Sequence, residues 1–284
     1  MRRLVVGCGY LGGRVARLWR GAGDDVYATT RGDNATALSR EGLQPLTMDV
    51  TRGVLSALPA VDTVVFAVGR DPRSRATMFD IHVEGLRAVL DALRGLPVQV
   101  IYVSSTGVYA QDGGEWVDEE SVCEPVREGG RACVAGERLL FAHPRGRDAV
   151  VLRMAGLYGP GRVPHSAGVA AGRSIAGSPS AFVNLIHVDD AARAVVAAAT
   201  VRPETSRTFV ISDGHPPTRG AYLALLATRM GVAPPRCEGG PGLGKRARND
   251  RAIRELGLRL SYPSYREGLA ASISRLTMGA TSPP

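Results

Sequence analysis

The sequence predicts an α/β fold, a doubly wound parallel sheet with a smaller C-terminal lobe, and three features predict it. A short apolar strand over residues 4–6 runs into Gly7-Cys8-Gly9-Tyr10-Leu11-Gly12-Gly13, and an apolar-periodic helix follows at once. Strand-like apolar runs over 64–68, 98–103 and 149–154 alternate with helical patterns, the rhythm of βαβ units. After residue 200 a strand and two helices remain, and they read as a lobe added to the sheet. The 284 residues are enough for such a nucleotide domain with a second lobe.

The glycine turn comes first in the chain and carries the sharpest chemistry. Gly7 permits the tight turn, Gly9 lets the backbone approach a pyrophosphate, and Gly12 lets the helix pack against its strand. Free N–H groups at the helix start, beside Tyr10 and Leu11, favour an anion there. Glycine turns of this spacing are common; the strand before and the helix after make this one a dinucleotide-binding turn.

The helix over 10–20 closes at Gly21-Ala22-Gly23, and 25–29 forms the second strand. An acidic residue after this strand would accept a hydrogen bond from a ribose 2′-hydroxyl. Thr29-Thr30-Arg31 instead offers hydroxyls and a guanidinium that suit a 2′-phosphate, so NADPH is the expected cofactor, with NADH as the alternative. The bland reading makes Arg31 one surface arginine among many. A third strand over 45–48 ends at Asp49-Val50, where the carboxylate meets the adenine amino group or serves as an N-cap. The run over 64–68 reads as a strand buried on both faces, with its end, Ala67-Val68-Gly69, beneath the nicotinamide ribose.

Residues 78–94 carry apolar side chains at helical spacing, and His82 within them reads as structural. The fifth strand, 98–103, runs into Ser104-Ser105-Thr106-Gly107-Val108-Tyr109; hydroxyls at the C-terminal end of a parallel strand are where such sheets place chemistry. A helix over 131–141 and a strand over 149–154 lead to Gly156-Leu157-Tyr158-Gly159-Pro160-Gly161-Arg162. From 163 to 179 Gly, Ala and Ser content rises and periodicity fades, as in a mobile lid. A strand-like run over 181–188, a helix over 189–200, a strand over 207–212 and helices over 218–230 and 251–256 follow, and 277–284 reads as a frayed, disordered tail. The domain expectation is thus a dinucleotide-binding unit over 1–156 plus about 181–200, with 157–180 and 201–276 as substrate lobe and lid.

Composition narrows the class. Hydrophobic residues at 44% and charged residues at 22% are ordinary globular usage. No apolar run is long enough to span a bilayer, and no targeting segment is evident, so a cytoplasmic location without membrane contact is expected. Cys8, Cys123, Cys133 and Cys237 form no C-x-x-C pair and have no clustered His, which argues against a metal site or a disulfide framework. The net charge is +8, but the arginines are scattered, and Lys245 is the only lysine. Its neighbours Arg246, Arg248, Arg251 and Arg254 alternate with Asp250 and Glu255, as on the solvated face of a helix, so nucleic acid is not an expected partner.

Several stretches together resemble the extended and atypical short-chain dehydrogenase/reductases, the Rossmann-fold group of NAD-dependent epimerases and dehydratases. They are the glycine turn, Val103-Ser104-Ser105-Thr106-Gly107-Val108-Tyr109, Leu152-Arg153-Met154 through Arg162, Ile186-His187-Val188-Asp189-Asp190, and Tyr262-Pro263-Ser264-Tyr265 through Leu269. The spacing Gly-x-Gly-x-x-Gly, rather than Gly-x-x-Gly-x-x-Gly, points to the atypical branch. The family's Tyr-x-x-x-Lys acid/base pair is missing: anchored on Glu137, its positions hold Gly129 and Cys133.

By that resemblance Ser105 polarises a substrate carbonyl, with strand-end capping as its bland alternative, and Ser104 joins the cofactor site. Tyr109 and Tyr158 are secondary proton-donor candidates, His187 is structural, and Arg162 meets substrate or lies idle on the surface. Hydride transfer needs only a cofactor held against a carbonyl, with something to stabilise the alkoxide. The expected function is therefore an NADPH-dependent ketoreductase acting on a small-molecule ketone, a polycyclic or polyketide-type secondary metabolite, as a monomer or homodimer. The arginine-rich, lysine-poor usage fits a GC-rich bacterial source, where such enzymes abound. A sugar-nucleotide epimerase or dehydratase and a non-catalytic NADP(H)-binding sensor are the alternatives.

Overall fold

The computed structural model describes residues 1–32, 34–52, 58–93, 98–201, 203–205 and 207–278, with side chains to 273. Its strands are β1 (Arg2–Val6), β2 (Asp25–Thr30), β3 (Gln44–Thr47), β4 (Thr63–Phe66), β5 (Gln99–Ser105), β6 (Gly113–Val117), β7 (Val150–Met154), β8 (Gly156–Tyr158), β9 (Ile175–Ala176), β10 (Leu185–His187), β11 (Arg207–Ile211), β12 (Cys237–Glu238) and β13 (Gly244–Ala247). The helices are α1 (Gly12–Gly21), α2 (Ala35–Arg40), α3 (Leu86–Ala92), α4 (Glu128–Ala142), α5 (Ser166–Ala170), α6 (Val188–Ala198), α7 (Arg219–Met230), α8 (Asp250–Leu256) and α9 (Tyr265–Met278). A π-helical stretch, Asp80–Gly85, leads directly into α3.

Seven parallel strands form the main sheet in the order β11-β7-β5-β4-β1-β2-β3. Strand order reverses beside β1, and ligands bind at such switch points, outside the carboxyl ends of the strands. The pleat splits the apolar side chains between two layers. Val5, Val65 and Ile101 face the side of α1, α6 and α8, where Trp19, Ala191 and Ala252 pack. Leu4, Val6, Val64, Phe66, Val100 and Tyr102 face the side of the π stretch, α3 and α4, with Ile81, Leu90 and Leu140. Burial on both faces is why these strands read as continuous apolar runs.

The second lobe has its own core, in which Tyr158, Val169, Leu185, Tyr222, Leu226 and Leu269 are buried together. Its boundary differs from the sequence expectation. Strand β11 completes the main sheet rather than the lobe, and α8 packs with it, because Phe209, Ile211, Ala252 and Leu256 share one apolar cluster. The expected strand over 181–188 shortens to β10, which pairs with β8 outside the main sheet.

The stretch expected as a lid holds α5 and β9; Val169 and Ile175 are buried, and β9 pairs with β12. Its ordering comes from a few apolar anchors between small residues, too sparse to register as periodicity. The basic run near Lys245 is divided: Lys245 and Arg246 lie on β13, which pairs with β6 rather than forming a helical face, whereas Arg251 and Arg254 lie on α8. Arg246 and Arg248 sit over the Trp116 ring at 4.8 and 5.4 Å. From residue 279 onward the expected frayed tail lies outside the described residues, as does Arg94 at the end of the expected long helix. Among the described residues no helix is long and apolar enough to cross a membrane. Nor is any group of three or more His, Cys, Asp or Glu side chains placed to hold a metal ion.

Candidate functional site

A cavity of about 870 Å³ opens along the carboxyl ends of the central strands. At its centre is the glycine turn. Gly7 adopts a φ of +91°, and a Cβ there would lie 2.8 Å from the Ala67 backbone, so the turn and the end of β4 touch as only glycine allows. A Cβ at Gly12 would sit 2.2 Å from the Gly7 carbonyl oxygen; Gly12 therefore supports the turn from behind and does not line the cavity. Gly9 does line it, and a Cβ there would project into open space. Thr29 fixes the turn: its hydroxyl accepts from the Gly7 N–H at 2.8 Å and its carbonyl from the Cys8 N–H at 3.2 Å. That hydroxyl, expected to face a 2′-phosphate, thus holds the turn as an acceptor and keeps its own proton to donate.

Tyr10, Leu11, Arg31, Asp49, Val50, Ala67, Val68, Gly69, Ser104 and Ser105 all line the same cavity. At the end of the cavity beyond β2, Arg31 is half-exposed and ion-paired with Asp71, which also accepts from the Arg73 backbone N–H at 2.9 Å. Arg31 foremost, then Arg73, holds the Asp71 carboxyl well below the usual range. The Asp49 carboxylate accepts from the Thr51 N–H and hydroxyl at 3.0 and 2.7 Å.

At the opposite end β5 delivers the two serines to different tasks. Ser104 donates to Glu137 at 2.6 Å, and Glu137 also takes two hydrogen bonds from Arg153, at 3.1 and 2.8 Å. The Ser104 hydroxyl thus serves a buried ion pair beneath the cavity. Ser105 Oγ accepts from the Gly107 N–H at 3.0 Å. An oxygen held as an acceptor there keeps its own proton for a group in the cavity, so capping and carbonyl polarisation are compatible roles for this side chain.

Tyr109 and Tyr158 do not line the cavity. The Tyr109 hydroxyl donates to the Asp118 carbonyl at 2.7 Å and accepts from Arg153 at 3.0 Å, and burial raises its pKa far above the usual phenol value. Tyr158 lies in the core of the second lobe, also raised by burial. Gly129 and Cys133, on α4, line the wall where the family pattern has its tyrosine and lysine. A Cβ at Gly129 would meet only the Met78 methyl, at 3.7 Å. Burial pushes the Cys133 thiol up to about 11.

His82, expected as structural, is buried in the π stretch yet also lines the cavity, and its Nδ1 pairs with the Tyr102 hydroxyl at 2.7 Å. Burial lowers its pKa to about 4, so the ring is neutral at pH 7. Arg70, Arg73 and Arg127 also line the cavity, and exposed arginines in an arginine-rich chain give no local signal that would single them out. Lys245, distant in sequence, donates to the Tyr109 carbonyl at 2.8 Å.

The fold and the cradle define a dinucleotide-dependent oxidoreductase of the atypical short-chain dehydrogenase/reductase type. Residues 3–212 match the model of the NAD dependent epimerase/dehydratase family, and the chain belongs to that family. It is 28% identical over 277 residues to Protein YeeZ of Escherichia coli K12, covering 91% of this chain and 95% of that protein. It is also 28% identical over 312 residues to a 3-diazoavenalumate denitrifying reductase of a Streptomyces species, covering 95% and 99%. Among solved structures, a functionally unknown conserved protein from Silicibacter pomeroyi is 29% identical, with a TM-score of 0.77 over 96% of this chain and 98% of that one. The UDP-glucuronic acid 4-epimerase of Bacillus cereus, solved with UDP-glucuronic acid and NAD, has a TM-score of 0.81 over 98% and 99% at 18% identity, a likeness of fold.

The cavity fits a dinucleotide on its own geometry. The glycine at position 9 leaves room beside the helix start, and the Tyr10 hydroxyl is buried without a partner among the described residues. Gly7, Gly9, Tyr10 and Leu11 would hold the phosphates, with Asp49 and Val50 at the adenine and Ala67, Val68 and Gly69 at the ribose beyond. When bound, the nicotinamide supplies or accepts a hydride.

Proposed function

We propose that this protein is an NADPH-dependent ketoreductase that reduces a carbonyl of a polycyclic or polyketide-type metabolite without a tyrosine–lysine pair. The observation that carries the reading is Ser105: it lines the cavity, with Oγ accepting from the Gly107 N–H, while Gly129 and Cys133 replace the usual acid/base pair. The Ser105 proton donates to the substrate carbonyl oxygen and stabilises the charge that develops there. The product oxygen then takes its proton from water or from a hydroxyl the substrate carries beside the ketone. Epimerisation and dehydration must remove a proton from the substrate, for which this wall offers no tyrosinate. The reductase named among the relatives supports net reduction.

For the cofactor, Arg31, Arg70 and Arg73 gather at the adenosine end. Arg31 reaches a 2′-phosphate by sharing its guanidinium with Asp71, so its contribution is modest. Absorbance assays with NADPH and NADH against a panel of hydroxyaryl ketones test the reading. Substrate-dependent oxidation preferring NADPH is expected. Ser105→Ala should lower kcat/KM by ~10²-fold, the usual cost of one donor to a developing oxyanion. Arg31→Ala should reduce the NADPH preference by ~10-fold. Tight NADPH binding without turnover on any ketone would instead identify a cofactor sensor.

A further inference from the structure

Two side chains beside the glycine turn are left without protein partners that match their chemistry. Tyr10 lines the cavity, and its buried hydroxyl has no hydrogen-bond partner among the described residues. Two guanidiniums lie over its ring, Arg14 at 4.5 Å and Arg162 at 5.6 Å from the centroid. The two arginines differ in one respect. Arg14 is paired with Asp189 at 2.8 Å and donates to the Tyr10 carbonyl at 2.7 Å, so its charge is already answered. Arg162 lines the cavity, and no carboxylate among the described residues lies within ion-pair distance of it.

Arg162 is also held in place. Its N–H donates to the Gly159 carbonyl at 2.9 Å, and the Gly159 N–H donates back to the Arg162 carbonyl at 3.0 Å, closing a tight turn after β8. That turn rests on the glycine turn itself, since a Cβ at Gly159 would lie 2.9 Å from the Tyr10 hydroxyl. A chain segment of the second lobe therefore presses against the dinucleotide cradle and carries an uncompensated cation to it. The pyrophosphate expected at this helix start bears two negative charges, which backbone N–H groups alone leave unneutralised.

We propose that Arg162 is a phosphate-binding residue: from the second lobe it closes over the glycine turn and, with the Tyr10 hydroxyl, clasps the pyrophosphate of the dinucleotide. Arg162 is then a cofactor ligand rather than the substrate contact its position in the sequence suggests. The inference rests on the dinucleotide reading of the cavity but not on the preference for NADPH over NADH.

Calorimetric titration of the full chain with three ligands tests it. NADPH and ADP-ribose both carry the pyrophosphate, whereas adenosine 2′-monophosphate carries none. Arg162→Ala should weaken NADPH and ADP-ribose by the same factor, about 10- to 100-fold for one charge-assisted contact, and leave adenosine 2′-monophosphate unchanged. Arg162→Lys should recover most of the loss, and Tyr10→Phe should reproduce a smaller part of it. Unchanged NADPH affinity with a raised KM for the ketone would overturn the proposal in favour of a substrate contact. Equal weakening of all three ligands would overturn it in favour of a structural role. Wild-type protein that binds no dinucleotide would reject the cofactor reading itself. Protein that prefers NADH would reject only the 2′-phosphate site, and NADH and ADP-ribose would then carry the comparison.

Discussion

At one end of the cavity Gly7, Gly9 and Thr29 shape a cradle made mostly of backbone, while at the other Ser105, Gly129 and Cys133 line a pocket made by side chains. The first end keeps the features a dinucleotide needs. The second has the strand end and its serine, with Gly129 and Cys133 where the family pattern has an acid and a cation. Backbone geometry depends on a few glycines and on the sheet, so it survives substitution nearly everywhere else. Reactive side chains can be exchanged one at a time while the strands beneath them stay in register. A fold of this kind can therefore hold on to its cofactor while the chemistry performed on it changes.

The sharpest way to break the comparison is to damage the floor of the second end alone. Glu137 and Arg153 form a buried pair, 5% and 10% exposed, with Ser104 and Tyr109 attached. Removing one partner of such a pair leaves a buried charge uncompensated, which costs about 3–5 kcal/mol. Glu137→Ala should show this loss in urea denaturation, with Glu137→Gln losing less because it keeps acceptor and donor groups. The folded fraction should still bind the dinucleotide. A stability change within about 0.5 kcal/mol would show that the pair carries no weight, and lost dinucleotide binding in well-folded protein would show that the two ends are not separable.

A smaller effect separates the second lobe from both ends of the cavity. Asp213, just beyond β11, is 2% exposed, accepts from the His215 N–H at 2.9 Å, and keeps one carboxylate oxygen unpartnered among the described residues. Burial lifts its pKa to about 7, from an ordinary 3.8. The folded chain therefore holds the proton more tightly than the unfolded one. The stabilisation is fully present below about pH 4 and is lost as pH rises toward 7. Asp213→Asn mimics the protonated form, so its melting temperature should match wild type near pH 4 and exceed it by several degrees at pH 8, about 2–4 °C for each kcal/mol. Parallel curves across that window would reject the buried-acid account.

The contrast between the two ends also explains what could be read from sequence. Apolar runs buried on both faces, as in Val64-Val65-Phe66, give strands away, and the glycine spacing gives the turn. The pairing of Arg31 with Asp71 spans forty residues and depends on the sheet bringing two loops together. No local pattern encodes it. Likewise β11 reads as an ordinary strand whose partner is undetermined; register against β7 assigns it to the main sheet. In sequence only the family resemblance tells Ser104 from Ser105; in the fold, alternation along β5 turns the Ser104 hydroxyl toward Glu137 and the Ser105 hydroxyl toward the Gly107 N–H.

The two glycines at the start of α4 sharpen the comparison on the smallest scale. A Cβ at Gly130 would lie 2.2 Å from the Gly107 carbonyl oxygen and 2.6 Å from Pro125, both on fixed backbone or ring atoms that cannot turn away. A Cβ at Gly129 meets nothing closer than a flexible methionine methyl at 3.7 Å. Gly130→Ala should therefore destabilise the chain by about 1–3 kcal/mol, as overpacking does. Gly129→Ala should stabilise it by up to about 1 kcal/mol, because alanine restricts the unfolded chain and favours the helix. Thermal melts of the two single variants decide the matter, and destabilisation by Gly129→Ala would mean that the wall is closed there. The tight glycine is required by the contact between α4 and the end of β5, whereas the open one occupies the position from which the family's tyrosine would reach the substrate. Packing fixes the first and leaves the second free to vary, so the side chain carried at this point of the wall can differ without disturbing the fold beneath it.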